Sequence, residues 1–415
     1  MTVGNARAGP GFPVLRGPDS TLAFLREGYG FVGRRCDALG TDGFRTRIML
    51  KRVTCLRGAE AVREFYRPGR MTRRGAMPSS VVALLQDKGS VQQLDGDAHR
   101  IRKAMFLDLM TPDRLETARE IFAEEWEVAR RRWRGRTVAL AESLDILLTR
   151  VALRWCGIPL DGTDVAARAK ELGAIFRRAG SVGPAYLKAR WLRARSEHWA
   201  QQVISWAAAE EDGGGALGRL VRHRDVDGRV LGDKVAAVEL LNLLRPIVAV
   251  GVYITFAAHA LHVHRERLAG VIGDGEPERL APVAEEVRRL YPFFPMIGGR
   301  VLHPFDWRGT RFQTGDWLLL DLYGTNRHPA DWPASDRFDP TRYARESAGA
   351  LVPQGGGQYL ENHRCPGERL TQVLLTEAIA QLVRMDYSVP EQDLEIPLDR
   401  FPPKPRDGMR IAVAG

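Results

Sequence analysis

Hydrophobic positions along most of this chain recur at the three- and four-residue spacing of amphipathic helices. The stretches 112–133 and 367–385 show the pattern over several turns. In the second stretch the apolar positions are Leu370, Val373, Leu374, Ala378 and Leu382. Side chains at this spacing share one helix face, so the pattern predicts a helix over each stretch.

Two other regions have the pattern of strands. Residues 44–57 alternate partly between apolar and polar side chains and contain β-branched residues, which is typical of a strand or hairpin. Residues 296–317 consist of short segments separated by glycine, which favours strands and turns. The predicted fold class is therefore mainly α with a minor β-sheet region.

The pattern shows no internal repeat, no low-complexity linker and no break in composition that would mark a domain boundary. We therefore expect residues 1–415 to form a single domain, with 1–20 as a partly ordered N-terminal segment. These first residues have no apolar run of the kind found in secretory signals, which predicts a cytoplasmic protein.

The longest apolar segment is predicted to form a helix that begins near Asp233 and ends near His264. Apolar residues cover nearly its whole circumference, as in a helix that crosses a protein core. A membrane span is disfavoured because His259 and His262 lie within the segment.

The sequence LLRPIVAV, residues 243–250, places Arg245 and Pro246 in the middle of this helix. A proline inside a helix costs about 3 kcal/mol, and an unpaired buried guanidinium costs several more. Arg245 could pair with an internal carboxylate beside a structural kink. Alternatively, it could await an anionic ligand that enters a groove opened by Pro246.

Charge and cysteine usage narrow the possible functions. The net charge is +10 and comes mostly from arginines scattered along helical stretches, which disfavours nucleic-acid binding and is compatible with anionic substrates or membrane surfaces. The four cysteines are far apart, so neither a disulfide framework nor a zinc site is predicted. They are Cys36, Cys55, Cys156 and Cys365.

Cys365 lies in the segment LVPQGGGQYLENHRCPGE, residues 351–368. The three consecutive glycines allow close approach of a flat ligand, and Pro366 with Gly367 predicts a helix start. Nearby cations and helix amides favour a thiolate, which could act as a nucleophile or as a ligand for a soft metal or haem iron. An inert buried cysteine is the commoner alternative.

The order of motifs resembles that of the cytochrome P450 superfamily. An ExxR pair, Glu286 and Arg289, is followed by DRFDP at 336–340 and then by the cysteine segment. The resemblance implies that Arg337 completes a structural Glu-Arg-Arg cluster and that Cys365 is the axial ligand of the iron of haem b.

The resemblance extends to DGDAHRIRKAMF, residues 95–106. It implies that four residues contact the haem propionates: His99, Lys103, Arg300 and His363.

Two departures from the superfamily pattern point to one branch. Gln358 and Glu361 stand where a Phe and a Gly are usual before the cysteine, and Arg245 with Pro246 replaces the usual acid-alcohol pair of the central helix. Both departures resemble the bacterial fatty-acid peroxygenases, which use hydrogen peroxide and need no redox partner.

Membership of that branch implies that a fatty-acid carboxylate pairs with Arg245 and acts as the acid-base group in place of the missing pair. Catalytic roles then fall to Arg245, Pro246 and Gln92, and hydroxylation is expected at the α or β carbon. Gln92 stands where a histidine favours decarboxylation to terminal alkenes in other members, so hydroxylation is expected to dominate.

The resemblance also places Phe293, Phe294 and Met296 along the substrate cavity, although ordinary core packing would explain them equally well. The basic segment 186–199 could flank an entrance for anionic substrates or form a solvated surface helix. Three alternatives stay open for the whole chain: a redox-partner-dependent monooxygenase, an enzyme acting on another carboxylic acid, and a non-catalytic haem sensor.

Overall fold

The computed structural model describes residues 11–86, 89–178, 183–210, 215–273, 275–344 and 350–415. In these ranges the α-helices are α1 Thr21–Glu27, α2 Gly30–Leu39, α3 Ala59–Phe65, α4 Ser79–Leu85, α5 Gly96–Leu107, α6 Pro112–Trp133, α7 Leu140–Cys156, α8 Val165–Arg177, α9 Pro184–Ala209, α10 Gly215–Arg222, α11 Asp233–Val263, α12 Arg265–Ile272, α13 Pro277–Leu290, α14 Leu322–Asn326 and α15 Glu368–Arg384. Short 3₁₀ helices span Val91–Gln93 and Pro340–Ala344.

The strands of the same ranges are β1 Gly43–Ile48, β2 Lys51–Leu56, β3 Met71–Thr72, β4 Thr137–Ala139, β5 Met296–Val301, β6 Phe305–Trp307, β7 Thr310–Phe312, β8 Trp317–Asp321, β9 Tyr387–Ser388 and β10 Arg410–Val413. The predicted class, mainly α with a minor sheet, is confirmed. The predicted helix at 112–133 coincides with α6, and 44–57 forms the β1–β2 hairpin.

The largest sheet has five strands in the order β1-β2-β8-β5-β3. Strands β2 and β8 are parallel, with Thr54 opposite Leu318, and the other pairs are antiparallel. Val14 forms a bridge with Arg45 of β1, so the described part of the N-terminal segment follows the sheet edge. Residues 1–10 of the segment predicted to be partly ordered lie outside the described residues.

Helix α11 runs through the core, packed against α7, α8, α9 and α15. Its contact with α7 is close at Gly251, where an added Cβ would lie 3.1 Å from Leu148 Cδ1. The predicted helix bounds are confirmed, but the residue before the first turn is Gly232, and Asp233 makes no side-chain capping bond. By length and composition α11 could span a membrane, yet 83% of its most apolar window is buried inside the protein.

Candidate active site

Helix α11 continues through Pro246 without a break. Residues 236–250 are all buried except Pro246, which is exposed. Proline has no N–H to donate, so the carbonyl of Asn242, four residues earlier, loses its helical partner. The exposure of one residue within a buried helix means that this turn borders an open space rather than packed side chains.

Arg245, next to Pro246, is buried and has two described partners. Its Nη2 donates to Asn242 Oδ1 at 2.9 Å, and its Nη1 lies 3.5 Å from the carbonyl oxygen of Leu84. No carboxylate of the described residues lies within ion-pair distance, so the internal salt bridge considered as an alternative is not found there. Burial and the neighbouring Arg193 lower the pKa of Arg245.

Gln92 lies on the first 3₁₀ helix, and the fold brings it close to Arg245. Asn242 Nδ2 donates to Gln92 Oε1 at 3.3 Å, so one asparagine links Gln92 with Arg245. Asn242 was not predicted from the sequence. Its signal was a polar residue three positions before Arg245, on the same face of an otherwise apolar helix.

Arg193 of α9 was also missed, because the segment 186–199 was considered only as an entrance or a surface helix. Arg193 is buried, and its Nη1 donates to the Leu84 carbonyl that also faces Arg245. Its Nε donates to Glu197 at 2.6 Å. One side of this segment is therefore part of the core.

Cys365 lies just before α15, in a loop anchored by Lys103. The ammonium group of Lys103 donates to the carbonyl oxygens of Asn362 and Arg364, at 2.9 Å for the second. Burial raises the pKa of Cys365 to about 11, although the Gly367 amide and Lys103 act in the opposite direction. The Gly367 amide and Lys103 thus lower the pKa as expected, and desolvation opposes them.

The three glycines before Cys365 are required by the protein's own packing. A Cβ on Gly355 would lie 2.9 Å from the Tyr66 hydroxyl, and one on Gly356 would lie 2.9 Å from Val62. A Cβ on Gly357 would meet the Asn362 side chain at 2.6 Å. The crowding that excludes side chains comes from these neighbours, so it gives no evidence of the flat ligand that the glycines suggested.

A cluster of basic side chains lies beside the cysteine loop. The rings of His99 and His363 are 3.9 Å apart between centroids. Burial lowers the pKa of both, and Lys103 and Arg73 lower it further, with the pKa of His99 falling to about 4. Arg73 was not predicted from the sequence. The positive charge of the cluster comes from Arg73 and Lys103, and it stabilises negative charge.

Arg300 was predicted to bind the same propionates. Its guanidinium donates to the carbonyl oxygens of Gly75 and Gly315, both at 3.1 Å, and lies over the Trp317 ring. No described contact links it to the two histidines, so its role stays a prediction.

The described residues fit a haem. Two propionates would neutralise the positive charges of Arg73 and Lys103, and the uncharged imidazoles of His99 and His363 would each have an N–H to donate to them. Iron deprotonates a cysteine that coordinates it, and the Gly367 amide would then stabilise the sulfur, with Gln354 Nε2 at 3.8 Å. Cys365 is thus the residue that would bind the iron.

The ExxR pair of α13 is buried and fully engaged. Arg289 Nε and Nη2 each donate to Glu286 at 2.8 Å, and its Nη1 donates to the carbonyl oxygens of Asn326 and Ser335. The second arginine of the cluster is Arg342, whose Nε lies 3.2 Å from Glu286 Oε1. The assignment of Arg337 is wrong: its side chain is exposed, and only its carbonyl oxygen accepts from Arg289.

The adjacent pair, Glu285 and Arg288, which the sequence analysis did not use, supports the cysteine loop. Arg288 Nη1 donates to Glu285 at 2.7 Å, and its Nη2 donates to Glu368, the first residue of α15, and to Gln354 at 3.2 Å. Glu368 also accepts from Arg364 at 2.5 Å. Both ion pairs of α13 therefore hold chain segments that are remote in sequence.

The predicted cavity residues have different environments. Phe293 stacks on Tyr253 of α11 with ring centroids 4.3 Å apart, and Phe294 is 42% exposed. Met296 is buried in the hydrophobic cluster beside the large sheet, together with Phe31 and Trp317. These contacts favour ordinary core packing for Met296, while Phe293 lies against the helix that carries Arg245.

Comparison with known proteins agrees with this geometry. The family model described as "Cytochrome P450" matches residues 280–404. The chain is similar to the solved structure of a single-residue variant of cytochrome P450SP alpha (CYP152B1), with 38% identity, a TM-score of 0.91, and coverage of 96% of this chain and 100% of that one.

Two further structures are similar along nearly their whole length. Cytochrome P450EX alpha (CYP152N1) with myristic acid is 35% identical with a TM-score of 0.91, covering 97% of this chain and 98% of that one. A variant of cytochrome P450 OleT in complex with arachidonic acid is 31% identical with a TM-score of 0.90, covering 96% of each chain.

Curated relatives match over less of their length. Cytochrome P450 4A7 of Oryctolagus cuniculus is 30% identical over 39% of this chain, and the match spans 34% of that protein. The near-complete structural matches carry the assignment, and they agree with the order of motifs around Glu286, Arg289 and Cys365. The chain belongs to the cytochrome P450 superfamily, haem-thiolate oxidoreductases, and within it to the CYP152 branch of fatty-acid peroxygenases.

Proposed function

We propose that this protein uses hydrogen peroxide to hydroxylate fatty acids at the α or β carbon, with the substrate carboxylate paired with Arg245. The overall reaction converts a C–H bond and hydrogen peroxide into an alcohol and water. The bacterial cytoplasm is the proposed location, and no redox partner is required because the peroxide supplies both the oxygen atom and the oxidising equivalents.

The observation that carries the proposal is the environment of Arg245. Its guanidinium is buried in α11 with an amide oxygen at 2.9 Å and a carbonyl oxygen at 3.5 Å, and the described residues bring no carboxylate to it. A buried cation with only neutral partners is unfavourable, and an anionic ligand relieves that cost through a charge-assisted, two-point contact. The exposed Pro246 beside it gives such a ligand a place to enter.

The chain's own residues determine where the substrate is oxidised. Arg245 holds the carboxylate end, so the carbons next to that end lie nearest the reacting centre, and the proposed positions are the α and β carbons. Bound haem would supply the oxidising chemistry, with Cys365 as the electron-donating ligand. The carboxylate held by Arg245 accepts a proton from peroxide and returns it to the oxygen that leaves as water.

Gln92 favours hydroxylation over decarboxylation in this proposal. Its side chain reaches Arg245 through Asn242, so it lies close to the substrate's carboxylate end. A neutral amide in place of an imidazole cannot exchange a proton near neutral pH. Loss of carbon dioxide is therefore the minor path.

The ligands of similar structures support an acidic substrate. The matched structures include P450EX alpha with myristic acid and the OleT variant with arachidonic acid. Another match is P450SP alpha in complex with (R)-ibuprophen, an aromatic carboxylic acid. The shared chemical feature is the carboxylate, so an acid other than a fatty acid is the second candidate substrate.

The test is peroxide-driven turnover of a fatty-acid panel by haem-loaded protein, with products identified by mass spectrometry. We expect α- and β-hydroxy acids from the parent and at least a 100-fold lower rate from Arg245→Leu. The variant removes the charge and keeps an apolar side chain in the helix.

The control is Arg193→Leu, which removes the neighbouring buried arginine without removing Arg245. The proposal fails if Arg245→Leu keeps the parent's rate, or if the parent needs ferredoxin and a reductase to turn over. A product mixture dominated by the alkene one carbon shorter would instead contradict the role given to Gln92.

A further inference from the structure

Three polar residues form a stripe on α11 that leads up to the proposed carboxylate site. Glu239, Asn242 and Arg245 are spaced three residues apart, so they lie along one side of a helix that is otherwise apolar. All three are buried, with exposures of 0%, 8% and 6%. Glu239 has no role in the proposed reaction.

Glu239 accepts hydrogen bonds from three directions. The Val91 amide and Arg102 Nη1 each donate to Glu239 Oε1 at 2.8 Å, and Asn242 Nδ2 donates to its Oε2 at 2.8 Å. Arg102 is shared with Asp225. Burial raises the pKa of Glu239, while the hydrogen bonds from Asn242, Arg102 and Val91 act in the opposite direction. Because all three contacts are donors, they hold Glu239 as an ionised carboxylate. An ionised carboxylate is an acceptor only, which determines the direction of every bond it makes.

The acceptor character of Glu239 determines how the amide of Asn242 is oriented. Because Glu239 can only accept, Asn242 must turn its NH₂ group towards Glu239 and its Oδ1 towards Arg245. The same NH₂ group donates to Gln92 Oε1 at 3.3 Å. Gln92 is then left with its own NH₂ group as a hydrogen-bond donor, for which the described residues provide no acceptor.

We infer that Glu239 is a positioning residue: by fixing the amide orientation of Asn242, it holds the Arg245 guanidinium in place and makes Gln92 present a donor to the substrate carboxylate. The inference rests on the proposed function. It adds that two donors of different kinds, a guanidinium and an amide, hold the acid. The carboxylate's position, and with it the choice between the α and β carbon, depends on both.

The critical variant is Glu239→Gln, which keeps the volume and removes the acceptor-only character. The new amide would offer its oxygen to Arg102 and Val91 and its NH₂ group to Asn242. Asn242 would have to reverse, which would place an NH₂ group against the Arg245 guanidinium. Two donors facing each other are repulsive, so Arg245 would move.

The measurements use haem-loaded protein with myristic acid as the probe. We expect Glu239→Gln to weaken the Kd at least tenfold, read from the change in the haem absorption spectrum on titration, and to shift the α to β product ratio. The matched control is Asp225→Asn, which removes the same charge from the other side of Arg102 without touching Asn242. It should leave the Kd and the product ratio within twofold of the parent.

A second variant provides the test if Glu239→Gln does not fold. Asn242→Leu removes the link without burying a new charge, and it should give the same loss of affinity and the same shift in product ratio. The inference is overturned if both folded variants keep the parent Kd and product ratio, or if Asp225→Asn changes them as much as Glu239→Gln.

The result separates this inference from the proposed function. If Arg245→Leu binds myristic acid as tightly as the parent, the carboxylate site itself is wrong. If Arg245→Leu loses binding while Glu239→Gln and Asn242→Leu do not, the site stands and Glu239 has only a structural role.

Discussion

Two buried arginines in this protein differ in what surrounds the guanidinium. Arg289 of α13 meets both oxygens of Glu286 at 2.8 Å and three backbone carbonyl oxygens. Arg245 of α11 is nearly as buried, yet it meets one amide oxygen and one distant carbonyl oxygen. The side chain is the same and both are buried, so the main difference lies in the partners.

The difference separates a structural charge from a functional one. Removing one member of a buried, hydrogen-bonded ion pair leaves the other charge without compensation, so such a pair is part of the fold. A buried arginine without a carboxylate partner contributes no comparable stabilisation, and its desolvation opposes folding. A site of the second kind persists in a folded protein when its partner is a ligand.

The largest expected difference in stability is between the two variants in which Arg289 or Arg245 is replaced by methionine. Arg289→Met should lower the free energy of unfolding by about 3–5 kcal/mol, because Glu286 is left buried with less compensation. Arg245→Met should leave the unfolding free energy unchanged or raise it, because it removes an uncompensated charge. Urea unfolding of haem-loaded protein measures both.

Comparable destabilisation by the two substitutions would contradict the distinction between a structural Arg289 and a functional Arg245. Arg245 would then be a structural residue of α11, and the energetic argument for an anionic ligand would be lost. The comparison is matched because methionine follows the path of both long side chains and adds no polar group.

A smaller effect is expected from His259, a half-buried base, which also lies on α11. Its ring nitrogens contact the Tyr291 hydroxyl at 2.8 Å and the Leu394 carbonyl oxygen at 3.2 Å, and burial lowers its pKa to about 4. An imidazole can respond to burial by losing its proton, whereas a guanidinium stays charged at neutral pH.

The sign of the pH dependence follows from that lowered pKa. The contribution of His259 is fully present above pH 6.5, its ordinary pKa. It is lost as the pH falls towards 4, because the unfolded chain binds a proton that the folded chain does not. The loss attributable to this residue is at most about 3 kcal/mol. Unfolding free energies of the parent and of His259→Gln at several values between pH 7 and pH 4.5 test this, and identical pH slopes would contradict it.

The smallest expected difference in unfolding free energy is between variants of two arginines near Glu286, Arg342 and Arg337. Arg342→Leu should lower the unfolding free energy by about 1–3 kcal/mol, because its charged hydrogen bond to Glu286 Oε1 is partly buried. Arg337→Leu should leave it unchanged, because only the backbone of Arg337 joins the cluster. Thermal unfolding of the two variants side by side decides between the arginine expected from the sequence and the one found in the structure.

Much of the fold and part of the site could be predicted from the sequence. The bounds of α6 and α11, the hairpin at 44–57 and the order of Glu286, Arg289 and Cys365 are all local patterns. Helix periodicity and motif spacing depend on neighbours a few residues away, so they can be recognised from the sequence. The superfamily and its peroxygenase branch followed from the same motifs.

What the tertiary structure decided concerns pairings between distant segments. Glu286 meets Arg342 across 56 residues, and Asn242 meets Gln92 across 150. The desolvation of Cys365 and the crowding around the glycines at 355–357 were likewise set by neighbours brought there by folding. Hydrogen bonds and desolvation depend on which atoms lie within a few ångströms, and for segments so far apart only the packed chain determines that.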